Sequence, residues 1–182
     1  RIDEAETLCA KAVEMVRRVL GDENPITLEA MHDLGVWYLV IGRDVEAEKL
    51  LNKALEGKRR VLGEGHSGTQ ASMGVVYFQR GQFDKAEPLL VKAVENERRK
   101  EGWEFPPFSM FILAVLHHRQ GDYNKAEPLL IEFLEISHKV LIEGHPDIVT
   151  AMNDLIKLYE DWGKPQKAEE WRTKLTNKKD TE

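Results

Sequence analysis

The chain has 182 residues, of which 42% are hydrophobic and 32% charged, and its formal net charge is −6 at pH 7. These values are typical of a globular protein of one or two domains. The negative charge argues against nucleic acid as the main partner, because phosphate binding requires a basic surface. No apolar run approaches the roughly 18 residues that a membrane-spanning helix needs, so we expect no membrane association.

The first 20 residues predict an amphipathic helix over 2–20. Its sequence is charged and does not resemble a signal peptide. Cys9 is the single cysteine of the chain. It cannot form an internal disulfide, which favours a reducing compartment and predicts a cytoplasmic protein. Because Cys9 stands among apolar positions at helical spacing, we expect a buried thiol rather than a nucleophile.

An Ala-Glu pair recurs along the chain and marks an internal repeat. The steps between successive pairs are 42, 39, 40 and 42 residues, and a glycine stands five residues before four of them. Self-similarity at such a period predicts stacked supersecondary units. The pairs begin at Ala5, Ala47, Ala86, Ala126 and Ala168, and the glycines are Gly42, Gly81, Gly121 and Gly163.

Each repeat unit is expected to be a hairpin of two antiparallel α-helices. Apolar and small residues recur at steps of three and four over residues 83–101 and again over 27–40, which is the period of one helix face. Gly42 can end the first helix of its hairpin by adopting a left-handed conformation. Strand signals are absent, so the chain is predicted to be all-α.

In chain order, an unpaired second helix at 2–20 precedes four helix pairs, and one solenoid extends over residues 1–182. The first helices of the two middle pairs are predicted to be shorter by most of a turn, because fewer residues separate their starts from the landmark Leu or Met. The unpaired helix indicates a fragment of a longer protein; the alternative is that this helix is itself the cap. The pairs are predicted at 26–62, 67–101, 106–142 and 146–178.

Small residues are expected to let neighbouring helices approach closely. Gly35, Gly74 and Ala114 each follow a large landmark residue, and an alanine of the Ala-Glu pair lies thirteen residues after that landmark. A single hairpin cannot cover both of its apolar faces, whereas a row of hairpins can.

The spacing of Leu34, Gly35 and Tyr38, and of Met73, Gly74 and Tyr77, resembles the tetratricopeptide repeat. The period near 42 and the segments 53–68 and 134–147 are similar to the longer repeats of kinesin light chain. This resemblance implies a right-handed α-solenoid of antiparallel helix pairs whose first helices line a concave groove. It also implies a protein or peptide as the partner.

Transferring the groove positions of the family to this chain gives an apolar middle and polar ends. Such a groove suits an extended or helical peptide with one or two apolar anchors. The implied partner-binding residues are Glu29, His32, Val36, Leu39, Val75, Phe78, Phe108, Phe111, Val115, His118, Asn153 and Lys157.

The segment 101–111 concentrates aromatic residues and allows two interpretations. Trp103, Phe105, Phe108 and Phe111 either pack beneath the loop and compensate for the shortened helix, or form an aromatic patch in the groove. The second interpretation predicts that Phe111→Asp weakens partner binding and leaves the helical content intact.

The sequence contains no pattern that indicates an enzyme, a cofactor or a metal site. Nucleotide-binding and hydrolase motifs are absent. His117 and His118 are neighbours on a helix and point about 100° apart, so one ion cannot easily take both. His66 and His145 stand at equivalent turns and are expected to contact helix starts.

Two functional hypotheses remain open. The chain is a protein-interaction module that presents a groove, or it is a structural, regulatory or self-association segment of a larger multidomain signalling enzyme. The aromatic middle favours the first, and an exposed N-terminal end, which could join two copies, favours the second.

Overall fold

The computed structural model describes residues 2–99, 102, 106–142 and 144–177, with helix in nine segments and no strand among these residues. The all-α class predicted from the sequence is confirmed. The helices are α1 (Ile2–Leu20), α2 (Pro25–Val40), α3 (Asp44–Leu62), α4 (Ser67–Gln79), α5 (Phe83–Arg98), α6 (Phe108–Arg119), α7 (Tyr123–Val140), α8 (Pro146–Asp161) and α9 (Pro165–Asn177).

The helices are organised in two compact units, Arg1–Ala93 and Val94–Glu182. In the first unit α1 packs on α2, α2 on α3, and α3 on α4. In the second unit the same order continues from α6 through α9. Each unit therefore has the helix-pair stacking of a repeat solenoid, in which an element contacts chiefly its neighbours. The single solenoid over 1–182 stays a prediction.

The turn inside each helix pair has one repeated geometry. The N–H of Arg43 donates to the carbonyl of Tyr38 at 2.8 Å, and the N–H of Gly42 donates to that of Leu39 at 3.1 Å. This pattern closes a helix C-terminus through a residue in the left-handed region. Gly42 has φ +77°, as the sequence predicts. Equivalent hydrogen bonds, each from an N–H to the carbonyl five residues earlier, reach Tyr77, His117 and Tyr159.

Three first helices begin with a side-chain cap. Asn24 Oδ1 accepts from the N–H of Ile26 at 2.9 Å. His66 Nδ1 accepts from the N–H of Gly68 at 3.1 Å, and His145 Nδ1 accepts from that of Asp147 at 3.3 Å. The two histidines therefore replace the oxygen that usually satisfies a helix N-terminus. The expectation that they contact helix starts is confirmed.

Paired helices approach each other closely where the residues at their contact are small. A Cβ atom built on Gly74 of α4 would lie 3.1 Å from Leu90 Cγ of α5. Gly57 of α3, which the sequence analysis did not single out, is tighter, because its Cβ would lie 2.3 Å from Leu28 Cδ2. The small residues at the predicted stacking positions are fully buried: Ala47, Ala86, Ala114, Ala126 and Ala168.

The lengths of the first helices follow the sequence prediction. α2 and α8 have 16 residues each, whereas α4 has 13 and α6 has 12. α6 begins directly after Pro106-Pro107, and proline disfavours helix at the residue before it.

Helix α1 differs from the other second helices in its burial. Cys9 is exposed, so the expectation of a buried thiol is wrong. Leu51, which holds the same position in α3, is fully buried beneath α2. In the described part of the chain α1 packs chiefly on α2, and the face that would meet a first helix of its own pair is exposed there. None of the described helices is long and apolar enough to cross a membrane.

Candidate functional site

The structure divides the twelve predicted groove residues into three groups by burial. Five of them lie in the core: His32, Val36, Val75, Phe78 and Phe111. Four are half-buried: Leu39, Phe108, Val115 and His118. Three are exposed: Glu29, Asn153 and Lys157. Only the last two groups offer surface to a partner, so the apolar middle of the predicted groove is mostly core.

The aromatic residues at the start of α6 pack inward. Phe111 is 3% exposed, and its ring centroid lies 5.2 Å from that of Phe133 on α7. The half-buried Phe108 lies 6.1 Å from the same ring. These contacts favour the interpretation in which the rings fill space beside a short helix. Trp103 and Phe105 lie outside the described residues.

A buried polar chain joins α2, α3 and α4 in the first unit. Lys58 of α3 is 1% exposed, and its Nζ lies 2.7 Å from Glu29 Oε2 and 3.0 Å from Ser72 Oγ. Ser72 Oγ lies 3.2 Å from His32 Nδ1. The Lys58 ammonium donates to Ser72, so the serine hydroxyl proton is free to go to the imidazole.

Within this group of polar side chains, the ion pair is the one between Lys58 and Glu29, and the His32 end is uncharged. Burial first, and the nearby Lys58 ammonium second, hold the pKa of His32 well below its usual value. The imidazole is therefore neutral at pH 7, and the exposed Glu29 carboxylate is the counter-ion of Lys58.

Sequence reasoning selected Glu29 and His32 but missed Lys58 and Ser72. The position of Lys58 among the apolar residues of α3 could have indicated a buried lysine with a polar partner.

The second unit brings several polar groups together between α6 and α8. His118 Nε2 lies 2.9 Å from Asp161 Oδ2. Asp154 lies two helical turns before Asp161 on α8. Burial raises its pKa to about 6, although the charges of His118, Lys157 and Arg119 act in the opposite direction. The α6–α8 surface, defined here as Phe108, Val115, His118, Asn153 and Lys157, thus combines half-buried apolar groups with exposed polar ones.

This polar surface borders an aromatic stack. The ring of Tyr123 lies 5.9 Å from that of His118 and 5.7 Å from that of Trp162, and Trp162 stacks on Tyr159 at 6.4 Å. Tyr159 donates to Glu127 Oε1 at 2.6 Å, which fixes α8 on α7. Burial and this hydrogen bond raise the pKa of Tyr159. The stack places Tyr123, at the start of α7, between His118 and Trp162.

Among the described residues, no group of three or more His, Cys, Asp or Glu side chains is placed to hold a metal ion. In the first unit, the buried Lys58, Ser72 and His32 side chains form hydrogen bonds with one another. These contacts join neighbouring helices of the same unit.

Comparison with protein-family models gives two matches, both to the tetratricopeptide repeat. One model covers residues 1–60 and 108–175, and a second covers residues 72–137. The chain belongs to the tetratricopeptide repeat family. Its fold is that of protein–protein interaction scaffolds, and the predicted resemblance is confirmed at the level of the class.

Solved structures of tetratricopeptide repeat proteins resemble the chain along almost its whole length. A protein of Podospora anserina assigned as a kinesin light chain, with nearly identical TPR-like repeats, is 26% identical. Its TM-score is 0.53, and the match covers 98% of this chain and 87% of that one. A comparison with curated protein sequences finds no match.

Two further structures share the fold at lower identity. BtubC (BKLC) from P. vanneervenii is 21% identical with a TM-score of 0.59, and the match covers 98% of this chain and 73% of that one. MamA from Desulfovibrio magneticus RS-1 is 14% identical with a TM-score of 0.55, covering 97% and 96%. Similar helix repeats thus occur in proteins with different names and sources, so the fold alone does not specify a ligand.

Proposed function

We propose that this tetratricopeptide repeat chain is a scaffold that binds a peptide or a partner domain on the α6–α8 surface. The observation that carries the proposal is that α6, with half-buried Phe108 and Val115, is in contact with α8, which carries the exposed Asn153 and Lys157. A peptide needs apolar contact for affinity and polar contact for orientation, and this surface offers both.

The first unit contributes less surface for binding. Of its predicted groove residues, Val36, Val75 and Phe78 are buried, and Glu29 is bound to Lys58. We therefore assign the peptide contact to the second unit. Its exposed ammonium and amide favour a peptide that carries a carboxylate or a backbone carbonyl beside an apolar anchor.

The experiment is selection of a displayed library of random 15-residue peptides against the purified chain. The dissociation constant of one enriched peptide is then measured for the chain and its variants. We expect Asn153→Ala and Lys157→Ala together to weaken binding at least about tenfold, which is about 1.4 kcal/mol. Both side chains are exposed, so the variants should keep their helical content.

Glu135→Ala is the matched control, because Glu135 is exposed on the second helix α7. The control should bind the peptide as the unaltered chain does. Equal affinity of the double variant and the unaltered chain would place the binding surface elsewhere and overturn the proposal.

A second candidate is the role of a structural or self-association segment within a larger multidomain protein. The exposed face of α1 favours it.

The single cysteine of the chain favours function in a reducing compartment such as the cytoplasm.

A further inference from the structure

Two groups that can carry a positive charge share one hydroxyl where α2, α3 and α4 pack together. Lys58 Nζ lies 3.0 Å from Ser72 Oγ, and Ser72 Oγ lies 3.2 Å from His32 Nδ1. All three side chains are buried, since 1% of Lys58, 0% of Ser72 and 7% of His32 is exposed. The first unit therefore joins three helices through polar groups that are shielded from water.

These contacts define the protonation state of His32. An ammonium can only donate, so the Ser72 oxygen accepts from Lys58 and the Ser72 hydroxyl donates to His32 Nδ1. Nδ1 accepts this hydrogen bond only while it carries no proton. Burial, and after it the charge of Lys58, lower the pKa of His32 well below its usual value, which agrees with this geometry.

A second proton on His32 would break the arrangement. Nδ1 would become a donor, and the hydroxyl proton of Ser72 would lose its acceptor. The Ser72 oxygen would then stand between two cations, the Lys58 ammonium and the imidazolium. An uncompensated charge and an unsatisfied polar group are both costly in a buried place, and the entry of water relieves both.

The charged groups around His32 do not offset that cost. Glu29 lies one turn earlier on α2, but its carboxylate is already bound to Lys58 at 2.7 Å, and Asp33, the next residue on α2, is exposed. Lys58 is the buried charged residue of α3, and α4 contains no Asp, Glu, Lys, Arg or His. On α1, Glu14 pairs with arginines of its own helix. The charge that acts on His32 is that of Lys58.

Helix α4 is the element that this cost would displace. α2 and α3 form a hairpin whose close contact, between Gly35 and Leu51, is apolar and does not titrate. Two polar contacts of α4 with α3 are made to residue 58: Ser72 accepts from its ammonium, and Thr69 Oγ1 donates to its carbonyl at 3.4 Å. We propose that His32 is an acid sensor whose protonation releases α4 from the α2–α3 hairpin.

The sign of the effect follows from proton linkage. A state in which α4 is released exposes His32 to water, and this state binds the proton more tightly than the folded state does. The docking of α4 is therefore fully stable above about pH 6.5 and weakens as the pH falls below that value. Because opening takes up one proton, its equilibrium constant should rise by up to about tenfold for each pH unit.

The sensor is confined to the first unit. Phe111 of α6 holds the position of His32, two residues before the landmark leucine, and its ring packs on Phe133 of α7. Phenylalanine does not titrate, so the corresponding place in the second unit has no such response to acid.

Hydrogen exchange of the full chain, measured by mass spectrometry between about pH 5 and pH 7.5, tests the proposal. Each rate is divided by the intrinsic exchange rate at that pH. In the unaltered chain the opening constant of α4 should rise about tenfold per pH unit below pH 6.5, while α2 and α3 keep their protection. In His32→Gln, which offers a neutral acceptor at every pH, the opening constant should not change with pH. A flat profile in the unaltered chain, or the same slope in His32→Gln, overturns the proposal.

His66 is the other histidine of the first unit, and it caps α4 through the N–H of Gly68 at 3.1 Å. His66→Asn is therefore the matched control, since it removes this imidazole and keeps an acceptor at the cap. The variant should show the same slope as the unaltered chain. Loss of the slope in His66→Asn assigns the response to the cap and overturns the role of His32. Equal loss of protection in α2, α3 and α4 means that the whole unit unfolds, which overturns the release of α4 alone.

Discussion

Gly35 of α2 lies directly against Leu51 of α3, so that a Cβ atom at position 35 would stand 2.9 Å from Leu51 Cγ. We expect Gly35→Ala to destabilise the chain by about 1 kcal/mol. The gain in helix propensity is at most about 1 kcal/mol, and overpacking a buried contact costs about 1–3 kcal/mol. Urea unfolding followed by circular dichroism measures the change.

Gly65→Ala is the control for that measurement. Gly65 has no atom near its Cβ position and does not need a left-handed backbone. Its substitution should change the free energy of unfolding by less than about 0.5 kcal/mol. Equal effects at positions 35 and 65 would contradict the close packing of α2 on α3.

The imidazole cap of α4 should be replaceable by an amide. His66→Ala removes the acceptor for the N–H of Gly68 and should lower the free energy of unfolding by about 1 kcal/mol. His66→Asn restores an acceptor, as Asn24 provides one for α2. Thermal unfolding of both variants checks this, and an asparagine variant as unstable as the alanine variant would argue against capping.

The Lys58 ammonium should make the stability of the first unit depend on Glu29. Glu29→Gln leaves the buried cation without its carboxylate and should lower the free energy of unfolding by about 1 kcal/mol, since Glu29 is partly screened by water. In a Lys58→Met background the same substitution should have almost no effect. A double-mutant cycle from urea unfolding measures this coupling.

The exposed pair of Glu23 and Arg60 serves as the comparison, with 2.9 Å between its charged groups. Glu23→Gln should change stability by less than about 0.5 kcal/mol in either background. The interpretation fails if Glu29→Gln is equally harmful with and without Lys58.

Burial of Asp154 should make the second unit less stable as the pH rises. Its folded pKa is about 6, above the ordinary 3.8, so the folded state holds this proton more tightly than the unfolded state. Its contribution is therefore most favourable below pH 4 and is lost as the pH rises through 6. Asp154→Asn should then raise stability above pH 7, by up to about 3 kcal/mol from a shift of this size.

Melting temperatures between pH 4 and pH 8 check this prediction. The gain from Asp154→Asn should be present at pH 7.5 and vanish near pH 4. Asp161→Asn, on the same helix, removes the carboxylate charge beside His118 and should not be stabilising at pH 7.5. A gain that is independent of pH would exclude the titration of Asp154 as its cause.

Phe111→Asp should unfold the second unit rather than only weaken binding. Truncating a buried phenylalanine costs about 3–5 kcal/mol, and a buried carboxylate adds to that loss. Circular dichroism should show reduced helical content. Asn153→Asp, at an exposed position on α8, should keep it. A fully helical Phe111→Asp variant with weaker peptide binding would instead support the interpretation that Phe111 contacts the partner in the groove.

Local features were predictable because they depend on neighbours in the sequence. The steps of three and four, the glycine after each first helix and the small residues Gly35 and Gly74 predicted the hairpins and their close contacts. The number of residues before the landmark Leu or Met predicted the short α4 and α6. His66 and His145 were correctly placed at helix starts because a cap bonds to a residue two positions away.

Burial at the candidate site was not predictable in the same way. Family register assigned Phe111 and Val75 to a surface, but the packing of α6 on α7 and the fit between neighbouring helices placed them in the core. The contact of Lys58 with Ser72 joins residues from different helices, and no local pattern carries it.

The sequence by itself therefore determined the helices, their turns and the family, because these follow from hydrogen bonds and periodicity within one segment. Only the tertiary structure decided which apolar residues face water. Cys9 and Leu51 hold equivalent positions in α1 and α3, yet one is exposed and the other buried, because a neighbouring helix covers only the second. Whether a residue is exposed depends on what packs against its helix face, so the residues of that face do not determine it by themselves.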